Sequence, residues 1–95
     1  MATVIVGEFE WDEDKEATNE RKHGVTFVEA TRAFLDPFAF EFPDRSHAER
    51  WILLGMTMPD RLLYVVYAER VSTGRIRIIS ARKASRHETK SYEEE

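Results

Sequence analysis

Cysteine is absent from the 95 residues. That removes disulfides, thiolate zinc ligands and cysteine nucleophiles together, as expected of a protein folding in a reducing cytoplasm. Glycine is scarce, and the four present are isolated. They form no phosphate-cradling loop, dinucleotide fingerprint or serine-nucleophile elbow. Long apolar runs are also missing. The stretch Leu62 to Ala68 is far too short to cross a bilayer, and no basic start followed by an apolar core and a cleavage site opens the chain. His23, His47 and His87 lack zinc-like spacing, and Asp44 with His47 in a polar loop is too little for a metal site. The expectation is a soluble, cytoplasmic protein with no cofactor, no metal and no membrane partner. Residues 1–95 should form one domain, burying roughly 60 to 65% of the surface of the unfolded chain, with little margin of stability.

A basic excess is lacking too, since the formal charge is -4, and this at first argues against a nucleic-acid partner. The average conceals a segregation. Residues 1–60 hold 6 Lys and Arg against 13 Asp and Glu, whereas residues 61–90 hold 8 against 2 and three glutamates close the chain. Such a distribution fits a basic functional face, and equally fits ordinary solvated charge in which the two halves pair.

The patterning predicts an α+β domain. Ala2 to Phe9 is rich in β-branched residues and reads as a strand ending before Trp11. Asp12 is placed to cap a polar helix over Glu13 to His23, stopped at Gly24. Thr26 and Glu29 have capping-box spacing for a second helix, whose buried stripe would include Phe27, Val28, Ala30, Ala33, Phe34 and Leu35 and which must end near Asp36 before Pro37. Phe38, Phe40 and Phe42 alternate with Ala39 and Glu41 as in a half-buried strand. Strands over Trp51 to Met58, Arg61 to Glu69 and Arg75 to Ala81 follow, turning at Pro59-Asp60 and at Ser72-Thr73-Gly74. The nearly continuous apolar run in the second of these suits a central position. Ser85 and Glu88 begin a short last helix from Arg86 toward Tyr92. The order β-α-α-β-β-β-β-α implies a mainly antiparallel sheet with its helices gathered on one face.

The basic cluster Arg70, Arg75, Arg77, Arg82, Lys83 and Arg86 is the strongest chemical feature. Arg75 and Arg77 share one strand face by alternation, and guanidinium groups hold phosphate through paired hydrogen bonds. Surface pairing with the acidic half explains the same residues without any ligand. Lys22 and His23 close the first helix, where they complement its dipole and could also contact phosphate and exchange protons near neutral pH. Glu69 beside Arg70 is either a general base or half of a surface ion pair. Tyr64, Tyr67 and Tyr92 could stack on bases or pack the interior, with Tyr92 the least committed.

The segments Phe9-Glu10-Trp11-Asp12, Arg21-Lys22-His23-Gly24-Val25-Thr26-Phe27, Ala33-Phe34-Leu35-Asp36-Pro37 and Ile78-Ile79-Ser80-Ala81-Arg82-Lys83-Ala84 together resemble the BrnT family of ribonuclease toxins. Asp44 to Arg50, Gly55, Arg61-Leu62-Leu63 and Glu69-Arg70 extend the resemblance over nearly the whole chain. It implies a RelE-like fold, metal-independent endoribonuclease activity that arrests translation, and neutralisation by a BrnA-like antitoxin whose ribbon-helix-helix region binds operator DNA. It also implies catalytic candidates: Lys22 and His23 in K-H-G, Glu69 and Arg70 in E-R, and Arg82 and Lys83 in S-A-R-K. Arg75, Arg77, Arg86 and Tyr92 are the expected RNA contacts. Attack of the ribose 2′-hydroxyl on the adjacent phosphorus would need a base, Glu69 or His23, and cations at the phosphate. The rival is a noncatalytic module whose basic face binds RNA or an acidic protein.

Overall fold

The computed structural model describes residues 2–57 and 61–94. The expected turn at Pro59-Asp60, together with Met58, lies outside them. The elements run β1 (Thr3–Val6), β2 (Phe9–Asp12), α1 (Glu13–His23), α2 (Phe27–Ala33), β3 (Phe40–Pro43), β4 (Trp51–Thr57), β5 (Arg61–Arg70), β6 (Arg75–Lys83) and α3 (Arg86–Glu93). The fold is α+β, as the patterning implies. The described strands form one sheet in the order β1-β2-β6-β5-β4-β3. Every pairing is antiparallel except β2 with β6. β5 is central, where its apolar run is covered on both sides.

The N-terminal segment is a hairpin rather than one strand. Gly7 takes φ +59 while among the described residues no other residue type adopts a positive φ, so Gly7-Glu8 makes the two-residue turn with glycine first that suits a right-twisted pair. Val6 then faces Phe9. The reversal swings Trp11 into the core at 1% exposure, and Asp12 accepts from the N–H groups of Asp14 and Lys15 to start α1. Glu16 ties these parts together, accepting from the Trp11 indole at 3.0 Å and from the Phe27 backbone N–H at 3.0 Å.

α1 and α2 cover one face of the sheet. Phe27, Ala30 and Ala33 meet Leu53, Leu63, Val65, Tyr67, Ile78 and Ala81 there. Val28 and Leu35 are exposed, Leu35 by 81%, so the buried stripe of α2 is narrower than the sequence suggests. α2 stops at Ala33 because the chain turns toward Pro37, with Asp36 accepting from the Phe38 and Met56 N–H groups. Half of the expected capping box forms at its start. Thr26 accepts from Glu29 N–H, but the Glu29 carboxylate lies 2.9 Å from Arg61 Nε instead. That N–H is off line, leaving an ion pair rather than a hydrogen bond.

The expectation that all helices share one face is corrected. α3 lies on the opposite face, where alternation leaves Leu54, Phe40, Phe42 and Tyr64 in need of cover. His87, Glu88 and Ser91 line a groove with those four residues, and Tyr92 stacks on Phe40. Phe38 stands outside β3 and is 76% exposed. Among the described residues no helix is long and apolar enough to cross a membrane.

Gly55 sets how closely α2 approaches β4. A Cβ there would sit 2.4 Å from the Ala33 carbonyl oxygen, and backbone cannot yield as a side chain would. Gly55→Ala should therefore destabilise the fold by about 3 kcal/mol. Urea unfolding checks this, and a midpoint equal to that of the parent protein would show that α2 is free to move.

Candidate nucleic-acid interface

The face opposite α1 and α2 gathers the arginines, and one irregularity decides which. β5 and β6 pair as Val66↔Ser80 and then Tyr67↔Ile78, leaving Ile79 as an extra residue. By strict alternation Arg82 would point away from Arg75 and Arg77. The bulge reverses the phase, so Arg75, Arg77, Ser80 and Arg82 share one face while Ile78 and Ala81 both enter the core. The free edge of β6 beyond β2 is closed by α1. Asn19, only 6% exposed, accepts from Ala81 N–H at 3.1 Å and donates to the Ala81 and Val25 carbonyls at 2.8 and 3.0 Å.

Lys22 and His23 come to the border of this face. With Asp14, Lys15, Thr18 and Asn19 they line an open groove of about 310 Å³ whose other wall is Ile79 and Ser80. Ser80 and Arg82 are two residues apart on one face, about 7 Å along the strand. Ser80, in the wall of the groove that Lys22 and His23 line, is thus the residue of β6 that connects this groove to the strand carrying Arg82.

Arg82 is held rather than free. Its two terminal nitrogens donate to the two oxygens of Glu88 at 2.9 Å each, and its Cζ stands 3.9 Å from the centre of the Tyr64 ring. Glu88 also completes the capping box of α3 with Ser85. Burial pushes the Glu88 carboxyl up, but hydrogen bonds from Arg82 and Ser85 outweigh it and hold the carboxyl below its ordinary value. The same pairing raises Arg82.

A second group forms at the other end of β6. Arg77 Nη1 lies 2.5 Å from Glu10, Arg75 Nη1 at 3.8 Å and Arg70 Nε at 3.9 Å. Pairing with the acidic half is therefore real, although one carboxylate faces three guanidinium groups. Glu69 does not join either group. It pairs with Ile76, whose side chain packs against the core beneath the helices, and stands about 17 Å along β5 from Tyr64, the partner of Arg82. Lys83, opposite Leu63, lines a groove with Met56, Arg61, Leu62, Ala84 and Thr89. Arg86 is exposed at the start of α3.

Tyr92 has an internal role. Its hydroxyl donates to Asp36 and its ring stacks on Phe40 with centroids 6.4 Å apart. Burial and the Asp36 carboxylate push the Tyr92 hydroxyl up to about 12. Burial raises Asp36 as well, but hydrogen bonds from Tyr92, Met56 and Phe38 leave its carboxyl below the ordinary value. The sequence assigned no site role to Glu10, Asn19, Asp36 or Glu88, although it placed Glu88 as a helix cap. The only available signals were the cap at Glu88 and the charge of Glu10 between Phe9 and Trp11.

Residues 11–88 match the family model described as ribonuclease toxin, BrnT, of type II toxin-antitoxin system. The chain belongs to the BrnT family. The crystal structure of the Brucella abortus ribonuclease toxin BrnT is similar at a TM-score of 0.66 and 32% identity, over 80% of this chain and 94% of that one. No curated protein matches the chain. The BrnT match spans both arginine groups, Lys22 and His23, and leaves out Glu10 and Tyr92.

The anchors of α3 make stability depend on pH in both directions. Glu88 and Asp36 titrate lower in the folded state, so their contribution is full above the ordinary values of 4.5 and 3.8 and is lost on acidification. Tyr92 titrates higher, so its contribution is full below 10 and is lost between 10 and about 12. Melting temperature should fall on both sides. Tyr92→Phe should cost about 1.5 kcal/mol at neutral pH and shrink the alkaline decline, and an unchanged alkaline limb would contradict this anchor.

Proposed function

We propose that this chain is a metal-independent endoribonuclease toxin that cuts RNA at the junction of Lys22, His23 and Arg82. The observation that carries the reading is the β6 bulge, which puts Arg82 on the face carrying Arg75 and Arg77, two residues along the strand from Ser80 in the wall of the groove that Lys22 and His23 line. Family membership supplies the ribonuclease class.

In this reading His23 takes the proton of the 2′-hydroxyl, whose oxygen attacks the adjacent phosphorus. The bond to the 5′-oxygen breaks, the proton passes to that oxygen, and a 2′,3′-cyclic phosphate and a 5′-hydroxyl remain. Arg82 and Lys22 face the phosphate and its developing negative charge. The preformed Glu88 pair and the Tyr64 ring fix the guanidinium plane, so little ordering remains when phosphate arrives. The distance of Glu69 favours His23 as the base. Lys83 and Arg86 lie near enough to the strand end to attract the RNA backbone without touching the reacting atoms.

RNA cleavage in the cytoplasm would arrest translation, and a BrnA-like ribbon-helix-helix antitoxin would neutralise the toxin and carry the complex to operator DNA. The resemblance supports that partner, and type II family membership supports a protein antitoxin as such.

Cleavage should persist in EDTA, spare single-stranded DNA and leave cyclic phosphate ends. His23→Gln changes an exposed side chain and should lower kcat by about 10² to 10⁴. Gel analysis of a labelled RNA with end-group identification checks each point. Loss of activity in EDTA, or equal cutting of DNA, would overturn the mechanism.

A further inference from the structure

The arginine group around Glu10 remains unexplained by chemistry at Arg82. Glu10 is 5% exposed, and a carboxylate removed from water requires close cationic partners. It is the direct parallel partner of Arg77. Beside it Arg70 and Arg75 face each other as an antiparallel pair. Like charges directly opposed across two strands are destabilising, so this pair depends on the carboxylate nearby. One negative charge among three guanidinium groups leaves the group cationic. The side chains of Arg70 and Arg75 remain 52% and 34% exposed, so their guanidinium groups are open to a ligand from the sheet face. Arg77 and Arg82 lie opposite Ala68 and Tyr64, about 13 Å apart along the sheet, and each guanidinium is held by its own carboxylate, Glu10 or Glu88.

We propose that Arg70, Arg75 and Arg77 form a flanking-phosphate subsite, organised by Glu10 as a positioning residue, that holds the RNA backbone away from the scissile bond. The proposal rests on the reading of RNA as the substrate. Glu10 fixes Arg77 by a short ion pair and draws Arg70 and Arg75 to the same side. Their remaining donors then face a phosphodiester in a set array. Arginine suits such a site because its planar fork meets two phosphate oxygens at once.

The test is binding of a fluorescein-labelled single-stranded oligodeoxyribonucleotide across a salt series. This probe lacks the 2′-hydroxyl, so the readout stands apart from cleavage. The Arg70→Ala/Arg75→Ala double variant changes two partly exposed side chains and should fold. It should reduce the slope of log K against log salt by about 1.4, which is roughly tenfold weaker binding at physiological salt. Glu10→Gln separates organisation from simple attraction. Removing a negative charge should tighten binding if charge alone matters, whereas loss of the organiser should weaken it and flatten the slope. Glu10→Asp, which keeps the charge, should restore much of the slope, and thermal melts in parallel report the folded fraction.

An unchanged slope in the double variant would overturn the subsite and leave these arginines to an acidic partner protein. Tighter binding by folded Glu10→Gln would overturn the positioning role. Absence of RNA cleavage together with the expected slope change would sink the chemistry at His23 while supporting this subsite.

Discussion

The extra residue Ile79 in β6 is the constraint on which the functional face depends. Side chains on a strand alternate strictly, so a single inserted residue exchanges the two faces for everything beyond it. Upstream, Ile76 and Ile78 point to the helices and Arg75 and Arg77 to the other side. Downstream, Ala81 points to the helices and Arg82 joins the arginines. β2 pairs with β6 only at Ile76 and Arg77, so the outer edge of β6 beyond them must find partners elsewhere. Asn19 supplies them from α1, bonding both the N–H and the carbonyl of Ala81. The same side chain reaches Val25 at the turn into α2. One buried amide therefore fixes the helix pair, the free strand edge and the position of Lys22 and His23 relative to Ser80.

The opposite face is stabilised by a different device. Its apolar part, from Phe40 to Tyr64, is covered by α3, which the described structure fastens at two points. Glu88 grips Arg82 at the beginning and Tyr92 reaches Asp36 at the end. Asp36 also accepts from Met56 N–H, so the segment after α2, the end of β4 and the last helix meet on one carboxylate. The fastening at Glu88 has a chemical consequence. The guanidinium most central to the basic face is already paired and stacked, which aims it but also lowers its net attraction for phosphate. In the proposed function, affinity would then draw on the less fully paired cations along β6 and on Lys22.

Local rules made much of the fold legible. Helix α1 was bounded by Asp12 and Gly24, the cap at Ser85 located α3, and the apolar run of β5 marked the centre of the sheet. The local pattern failed where a tight turn or a partner remote in sequence overrides it. Gly7 was read as part of a strand because β propensity surrounds it, although only glycine accommodates that turn so readily. Glu29 had capping spacing but turned to Arg61, a contact that the spacing could not disclose. Glu69 next to Arg70 looked like a pair, yet adjacent strand residues point to opposite faces, and the two separate accordingly.

The sequence by itself determined the α+β class, the order of most elements, the segregation of basic residues into the last third and the resemblance to BrnT toxins. Those properties rest on periodicity, capping and motif order, which act over a few residues or along the whole chain. Tertiary structure alone decided which cations share a surface, that α3 lies across from α1 and α2, and that Glu10 and Glu88 hold the arginines. The physical reason is that phase along a strand and pairing between distant charges are set by register, and the register of β6 is set by a bulge that its own sequence does not announce.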